Sequence, residues 1–115
     1  MRLAVIGAPG QVGSEIVAAA RAAGLETIPL THADCDVTDR ASLDAALRDL
    51  GTGDFVANTA AFHRTDACED DPERAMAVNA LGAFNTAAAA HERGAGLVFV
   101  SSDFVFDGSK DSAYV

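Results

Sequence analysis

The stretch Leu3-Ala4-Val5-Ile6-Gly7-Ala8-Pro9-Gly10-Gln11-Val12-Gly13 decides the fold. Its first four residues are apolar without alternation, the pattern of a strand covered on both faces, as in parallel sheets. Gly7 ends the run. Beyond the glycines, Val12, Ile16, Val17, Ala20 and Ala23 return at helical spacing until Gly24 stops them. A buried strand that turns through glycines straight into a helix opens a layered α/β domain, and the alternation continues outward. Thr27-Ile28-Pro29-Leu30 reads as a second strand, whose pairing is expected to end near Pro29 because proline brings no ladder donor. Thr38 and Asp39 can cap a helix through Leu43, Ala46, Leu47 and Leu50, closed by Gly51. Phe55-Val56-Ala57 reads as a third strand, ending at Asn58. Asp71-Pro72-Glu73 starts a helix with a capping acid, a proline in the first position and an acid favoured by the dipole. One long helix of about 22 residues is expected, running through Met76, Val78, Leu81, Phe84 and the alanines to Arg93. Leu97-Val98-Phe99-Val100 reads as the fourth strand, followed by Ser101-Ser102-Asp103. The order βαβαβαβ implies parallel strands with right-handed crossovers: an α/β doubly wound parallel sheet of four strands, one domain over residues 1–115.

Composition bounds the function. The chain has 115 residues, the length of one domain. Acidic side chains number 17 and basic ones 8, giving a net charge of −9 and a pI near 4.4. That balance argues against nucleic acid or anionic membrane as the main partner, since both need a basic footprint. Leu, Ile, Val and Phe supply 27 residues and Ala another 25, so helices are expected to lie close on the sheet through small side chains. No apolar run approaches the roughly 20 residues of a membrane span. The apolar run before Gly7 is shorter than a signal-peptide core, so a cytoplasmic location is expected. Cys35 and Cys68 are 33 residues apart with no CxxC pair, which points to two reduced thiols rather than a disulfide or zinc site. A phosphorylatable receiver domain shares the βα order but wants acids at the end of its first strand, where Gly7-Ala8-Pro9 supplies none.

Gly7, Gly10 and Gly13 are spaced three and three at the strand-to-helix junction. A phosphate there needs backbone N–H donors and a positive helix end, and any Cβ facing the turn would hold it away. The spacing is GxxGxxG rather than the GxGxxG dinucleotide fingerprint, but its place between a buried strand and an amphipathic helix points to a pyrophosphate turn. The acid expected on the ribose beyond the second strand is missing. Leu30-Thr31-His32 has none, Asp34 is the first carboxylate, and no arginine stands nearby for a 2′-phosphate. NAD and NADP both stay open. Asp36 and the Val37 amide are placed to hydrogen-bond an adenine edge. His32, Asp34, Cys35 and Asp36 crowd one short loop, but such adjacent ligands rarely converge on one ion, so no metal site is assigned. His63 and Arg64 follow the third strand at the edge where open α/β sheets bind ligands, and are candidate substrate contacts. Asp66, Glu69, Asp70, Asp71 and Glu73 read as a solvated loop entering the long helix. His91 is a favourable charge near that helix's negative end.

Five segments together carry a family resemblance: residues 7–13 followed by Glu15, then Asp36-Val37-Thr38-Asp39, Asn58-Thr59-Ala60-Ala61-Phe62, Val78-Asn79-Ala80-Leu81-Gly82 and Ser101-Ser102-Asp103-Phe104-Val105-Phe106-Asp107-Gly108. The chain resembles the N-terminal part of an extended short-chain dehydrogenase/reductase, and within that superfamily the dTDP-4-dehydrorhamnose reductases. The resemblance covers essentially the whole chain, and its last segment is the most specific. It implies a Rossmann-type fold, NADP or NAD as cofactor and a nucleotide-sugar substrate. Gly7, Gly10 and Gly13 would wrap the pyrophosphate with Gln11 and Val12, and Asp36 and Val37 would flank adenine. Ala60, Ala61 and Phe62 would line the path toward the nicotinamide. Ser102 takes the place of the catalytic Ser/Thr that orients the sugar ketone, with Asp103, Phe104 and His63 on the substrate side. Asn79 matches a family asparagine in the long helix, and a structural role for it stays equally open. Some relatives hold a magnesium ion at a dimer interface through a Glu after the third glycine, the place of Glu15. The other ligands would lie outside this chain.

Ketone reduction in this family needs a Tyr to deliver a proton and a Lys four residues later. This sequence has one lysine, Lys110, and one tyrosine, Tyr114, in the reverse order. The resemblance therefore implies that the catalytic pair, the remaining strands and the sugar-binding domain lie beyond Val115, and that these residues alone do not turn over. A four-stranded unit would also leave the apolar edge at 97–100 open to another chain, which keeps a homodimer in view. The leading function is an NAD(P)-dependent reductase of a nucleotide-activated 4-keto sugar. Its rivals are a non-catalytic nucleotide-binding regulatory subunit, like that of methionine adenosyltransferase, another extended short-chain sugar epimerase or dehydratase, and a remnant that binds nothing.

Overall fold

Strands β1 (Arg2–Ile6), β2 (Glu26–Leu30), β3 (Phe55–Asn58) and β4 (Gly96–Phe99) form one parallel sheet in the order β2-β1-β3-β4. The computed structural model describes residues 1–114; Val115, the last residue of the expected domain, lies outside the described residues. The chain moves outward from β1 to β2, then returns past β1 to β3 and β4. The strand order therefore reverses between β1 and β3, where Ile6 stands opposite Asn58. Open α/β sheets bind ligands beyond the carboxyl ends of their strands at such a switch point.

Both faces of β1 are covered, which is why its sequence does not alternate. Ala4 and Ile6 join Leu43, Leu47, Leu50, Val56, Ala89 and Ala90 in one core, under α2 (Arg40–Ala46) and α5 (Gly82–Glu92). Val5, flanked by Leu3, packs with Ala57 and with Ile16 and Val17 of α1 (Gln11–Ala22) on the other face. Leu43 and Leu47 are fully buried, each stabilising the fold by roughly 1.5–3 kcal/mol. At the far end of β1, Asp54 takes the Arg2 backbone N–H at 2.7 Å, the guanidinium at 2.7 and 3.1 Å, and the Gly51 N–H at 3.0 Å. Those bonds, the Arg2 side chain first, hold the Asp54 carboxyl down at about 2.

The expected elements are all present, with four differences. Pairing does not stop at Pro29: Pro29 stands opposite Val5, and Leu30 opposite Ile6. The Leu30 carbonyl accepts from Gly7 and Ala8, so Leu30 faces β1 and the Pro29 nitrogen faces the open side of an edge strand, where a missing donor costs no ladder bond. Secondly, α2 stops at Ala46. Leu47 and Leu50 still reach the core, through a tighter turn in which the Leu50 N–H donates to the Leu47 carbonyl. Thirdly, the acidic loop contains a helix, α3 (Thr65–Asp70), with Asp66 in its first turn.

The fourth difference concerns the long helix. It is divided into α4 (Pro72–Met76), a π-helical turn (Ala77–Leu81) and α5, with Asp71 capping α4 by accepting from the Arg74 N–H at 3.0 Å. Met76, Leu81 and Phe84 face outward, with Phe84 69% exposed. The buried stripe of α5 is Gly82, Thr86, Ala89 and Ala90, small residues that bring the helix close to β3. Val98 and Phe99 of edge strand β4 are also exposed, the open apolar edge that the sequence leads one to expect.

Candidate functional site

The glycine turn sits at the carboxyl end of β1. The Gly10 N–H donates to the Gly7 carbonyl at 2.9 Å, and Ser14 is the first residue of α1 whose N–H bonds back, to Gly10. Gly10, the N-cap, has no side chain to cap with, and the first turn contains no acid. The N–H groups of Gln11, Val12 and Gly13 are thus the orphan donors of the helix end, where the dipole is positive. Gly7 has φ +79°, and a Cβ on it would lie 2.7 Å from Thr59 Oγ1 and 3.1 Å from the Ala60 nitrogen. A Cβ on Gly13 would lie 2.2 Å from the Gly7 carbonyl oxygen. The mouth is lined by backbone because no side chain fits.

Residues 59–62, after β3, form a second wall that is bonded at nearly every residue. The Thr59 hydroxyl donates to the Ile6 carbonyl at 2.7 Å. Asn58, buried, accepts from the Ala60 N–H at 3.0 Å and donates at 3.2 Å to Thr86, which donates to the Gly82 carbonyl. Phe62 pairs with the Asn79 carboxamide: its N–H donates to Oδ1 at 2.8 Å, and its carbonyl accepts from Nδ2 at 2.9 Å. Cys68 Sγ reaches the same carbonyl at 3.1 Å, and the Arg74 guanidinium stands 4.9 Å from the Phe62 ring centroid. The π turn carries Asn79, an irregularity often found at functional sites. His63 and Arg64 follow this clamp, exposed.

Before α2, Asp36 Oδ1 accepts from the Thr38 hydroxyl at 2.8 Å and from the Thr38 N–H at 2.9 Å, which lowers the Asp36 pKa. Asp34 folds back onto the hydroxyl and N–H of Thr31, and its pKa is lowered by those bonds. Cys35 between them is buried. Its thiol is pushed up to about 11, first by burial and then by Asp36 and Asp34, and both cysteines are free.

Ser102 lies past the end of β4, on the same edge of the sheet. Its Oγ accepts from the Phe104 N–H at 3.2 Å and its hydroxyl faces Asp103 at 3.4 Å, capping a turn (Asp103–Val105) whose Phe104 is exposed. The Tyr114 hydroxyl donates to Asp107 at 2.8 Å. Bonds from Ser109 and then from Tyr114 hold the Asp107 carboxyl at about 2. Lys110 Nζ lies 5.3 Å from the centroid of the Tyr114 ring. Among the described residues, then, Gly7, Gly13, Thr59 and Ala60 are brought together, whereas the Ser102 side chain bonds only to its own turn. Among them no three His, Cys, Asp or Glu side chains gather into a metal-sized cluster, and Glu15 stands exposed on α1. Thr59 and Thr86 were not foreseeable as parts of the walls, since short polar residues at strand ends and in helices have no distinguishing spacing.

The sequence profile of one family, described as the RmlD substrate binding domain, matches residues 1–115. The chain belongs to that family. A dTDP-4-dehydrorhamnose reductase of Mycolicibacterium smegmatis is 42% identical to this RmlD-family chain over 114 residues, which are 98% of the chain and 34% of the relative. The crystal structure of a dTDP-4-dehydrorhamnose reductase from Clostridium acetobutylicum superposes with a TM-score of 0.92 at 34% identity, covering 99% of the chain and 40% of that protein. One from Bacillus anthracis, solved in complex with NADP, has a TM-score of 0.88 at 27% identity, covering 96% and 39%. The RmlD-family chain thus spans about a third of the length of the curated relatives it matches. Its sheet is the Rossmann-type fold of these neighbours, and no helix among the described residues is long and apolar enough to cross a membrane.

Proposed function

We propose that this chain is the cofactor-gripping part of an NAD(P)-dependent reductase of a nucleotide-activated 4-keto sugar. One observation carries the reading: the amino end of α1 is uncapped, free of acids, and walled by glycines at which a Cβ would meet backbone. A helix end of that kind would cradle a diphosphate. The names of the relatives, and the NADP bound by one solved neighbour, support the choice of cofactor and substrate.

Gly7, Gly10 and Gly13, with the amides of Gln11 and Val12, would hold the pyrophosphate, and Asp36 and Val37 the adenine. Ala60, Ala61 and Phe62 would line the nicotinamide path, their backbone fixed by Asn58 and Asn79. When bound, the cofactor supplies the hydride. Ser102, exposed and bonded only within its turn, would donate its O–H to the ketone oxygen. His63, Asp103 and Phe104, exposed along the same edge, would meet the sugar. The open edge of β4 is where a further strand, of this protein or of a second copy, would pair. Tyr114 is not assigned as the proton donor, since Lys110 precedes it by four residues instead of following it, and its hydroxyl donates to Asp107. The reading predicts that residues 1–115 bind a nicotinamide nucleotide.

Fluorescence titration with NADPH and NADH tests the proposal. Saturable binding that is lost in Gly7→Val, whose side chain would press on Thr59, is the expected result. A wild-type chain that binds neither nucleotide, or a Gly7→Val variant that binds as well, would overturn it.

A further inference from the structure

We infer that Asn85, on α5, is a positioning residue for the adenine end of the cofactor groove, and that it acts through the peptide joining Val37 to Thr38. This inference rests on the cofactor reading above. In the peptide between Asp36 and Val37, the carbonyl accepts from the Asp39 N–H at 3.1 Å. In the next peptide, the Val37 carbonyl accepts from Asn85 Nδ2 at 3.2 Å while the Thr38 N–H donates to Asp36 Oδ1 at 2.9 Å. That rigid plane is gripped from both sides. The Asp36 N–H in turn donates to Ser42 Oγ at 2.9 Å. Two groups are left over: the Val37 N–H, which has no protein acceptor among the described residues, and Asp36 Oδ2, which accepts no hydrogen bond there.

An unpartnered carboxylate oxygen and an unpartnered N–H on adjacent residues fit an edge that offers a donor next to an acceptor, as the amino group and ring nitrogen of adenine do. Hypoxanthine presents a carbonyl and a ring N–H in those places and meets both groups with the wrong polarity. The Val37 side chain anchors the turn, buried in the core against Gly82, where an added Cβ would approach Val37 Cγ2 to 2.7 Å. Asn85 is three residues along the same helix, so α5 fixes both the side chain and the carbonyl of Val37. The same helix, through Thr86, also holds Asn58 and with it the second wall. The Val37 turn and the second wall are thereby both tied to α5.

The test compares the affinities of NADH and its hypoxanthine analogue for the wild-type chain, Asn85→Ala and Thr38→Val. Thr38→Val removes one of the two bonds that aim Asp36 and serves as an independent, near-isosteric variant. The wild type is expected to prefer NADH by roughly ten-fold or more, because the analogue leaves two polar groups mispaired. Each variant is expected to lose about three- to ten-fold in NADH affinity, with analogue affinity unchanged within about two-fold, so that the preference collapses. A loss shared equally by both nucleotides marks a merely structural residue and overturns the inference, as does an unchanged preference in Asn85→Ala. A wild type that binds NADH without preferring it overturns the inference alone, whereas a wild type that binds neither nucleotide also overturns the cofactor reading beneath it.

Discussion

Replacing Gly13 by Ala sets two opposing effects against each other. Gly13 lies inside α1, where alanine is favoured over glycine by about 1 kcal/mol. The new methyl carbon, however, would stand 2.2 Å from the Gly7 carbonyl oxygen, 2.8 Å from its carbon and 2.9 Å from Ala8 Cα. Non-bonded carbons pack at about 3.5–4.0 Å, so α1 has to retreat by about 1 Å. All three neighbours are backbone, held to β2 by bonds from Gly7 and Ala8 to Leu30, and cannot rotate away as a side chain would. Overpacking of this kind costs about 3 kcal/mol, the upper end of its usual range. Net of propensity, about 2 kcal/mol is lost, which lowers Tm by about 8 °C for a domain of this size. Nucleotide affinity falls with it, because the orphan amides shift relative to Gly7. Gly51→Ala, at a glycine with open space around it, is the matched control and is expected to be neutral or mildly stabilising. Thermal melts and nucleotide titrations of the two variants decide the matter. If Gly13→Ala melts at or above the wild-type temperature and binds nucleotide unchanged, the close-approach argument is wrong.

The other predictions concern separate parts of the molecule. Asp54 has a folded pKa of about 2, below its ordinary 3.8, so its bonds to Arg2 contribute stability above about pH 4 that is lost as pH falls toward 2. Urea melts of Asp54→Asn are therefore expected to lie below wild type at pH 6 and to converge with it near pH 2; a constant gap refutes this. Iodoacetamide at pH 8 is expected to label Cys68 and spare Cys35 in the folded chain, since burial holds the Cys35 thiol protonated with a pKa of about 11. Equal labelling of both, read by peptide mass mapping, contradicts that. Asn79→Ala removes both bonds to the Phe62 backbone. Amide exchange at Phe62 is expected to quicken by about ten-fold while exchange in β1 stays as it was, and an unchanged Phe62 rate shows that Asn79 is not the clamp.

The sheet was legible because β1 is apolar on both faces and because Gly24 and Gly94 stand just past the ends of α1 and α5. Boundaries failed where tertiary bonds override local pattern. Pro29 reads as a stop only until β2 is known to be an edge strand. Met76, Leu81 and Phe84 read as one helix's apolar face, yet the π turn inserted between α4 and α5 and the close seat of Gly82, Thr86 and Ala90 turn that face outward. In the site, the glycine mouth was readable from spacing because each glycine answers a steric demand. The polar scaffold behind it, Thr59 on Ile6, Asn58 on Thr86 and Asn85 on Val37, joins residues far apart in sequence. No local pattern announces such partners. Lys110 and Tyr114 show the converse, a spacing that invites a catalytic reading and a geometry that assigns them to an exposed turn.

Backbone amides at the start of α1 are expected to grip a diphosphate. Amide chemical shifts of the nitrogen-labelled chain, followed during titration with NADPH, test it most directly. The largest shifts are expected at Gln11, Val12 and Gly13, with smaller ones at Val37 and Ala60. Shifts that saturate elsewhere while those three amides stay still would contradict it.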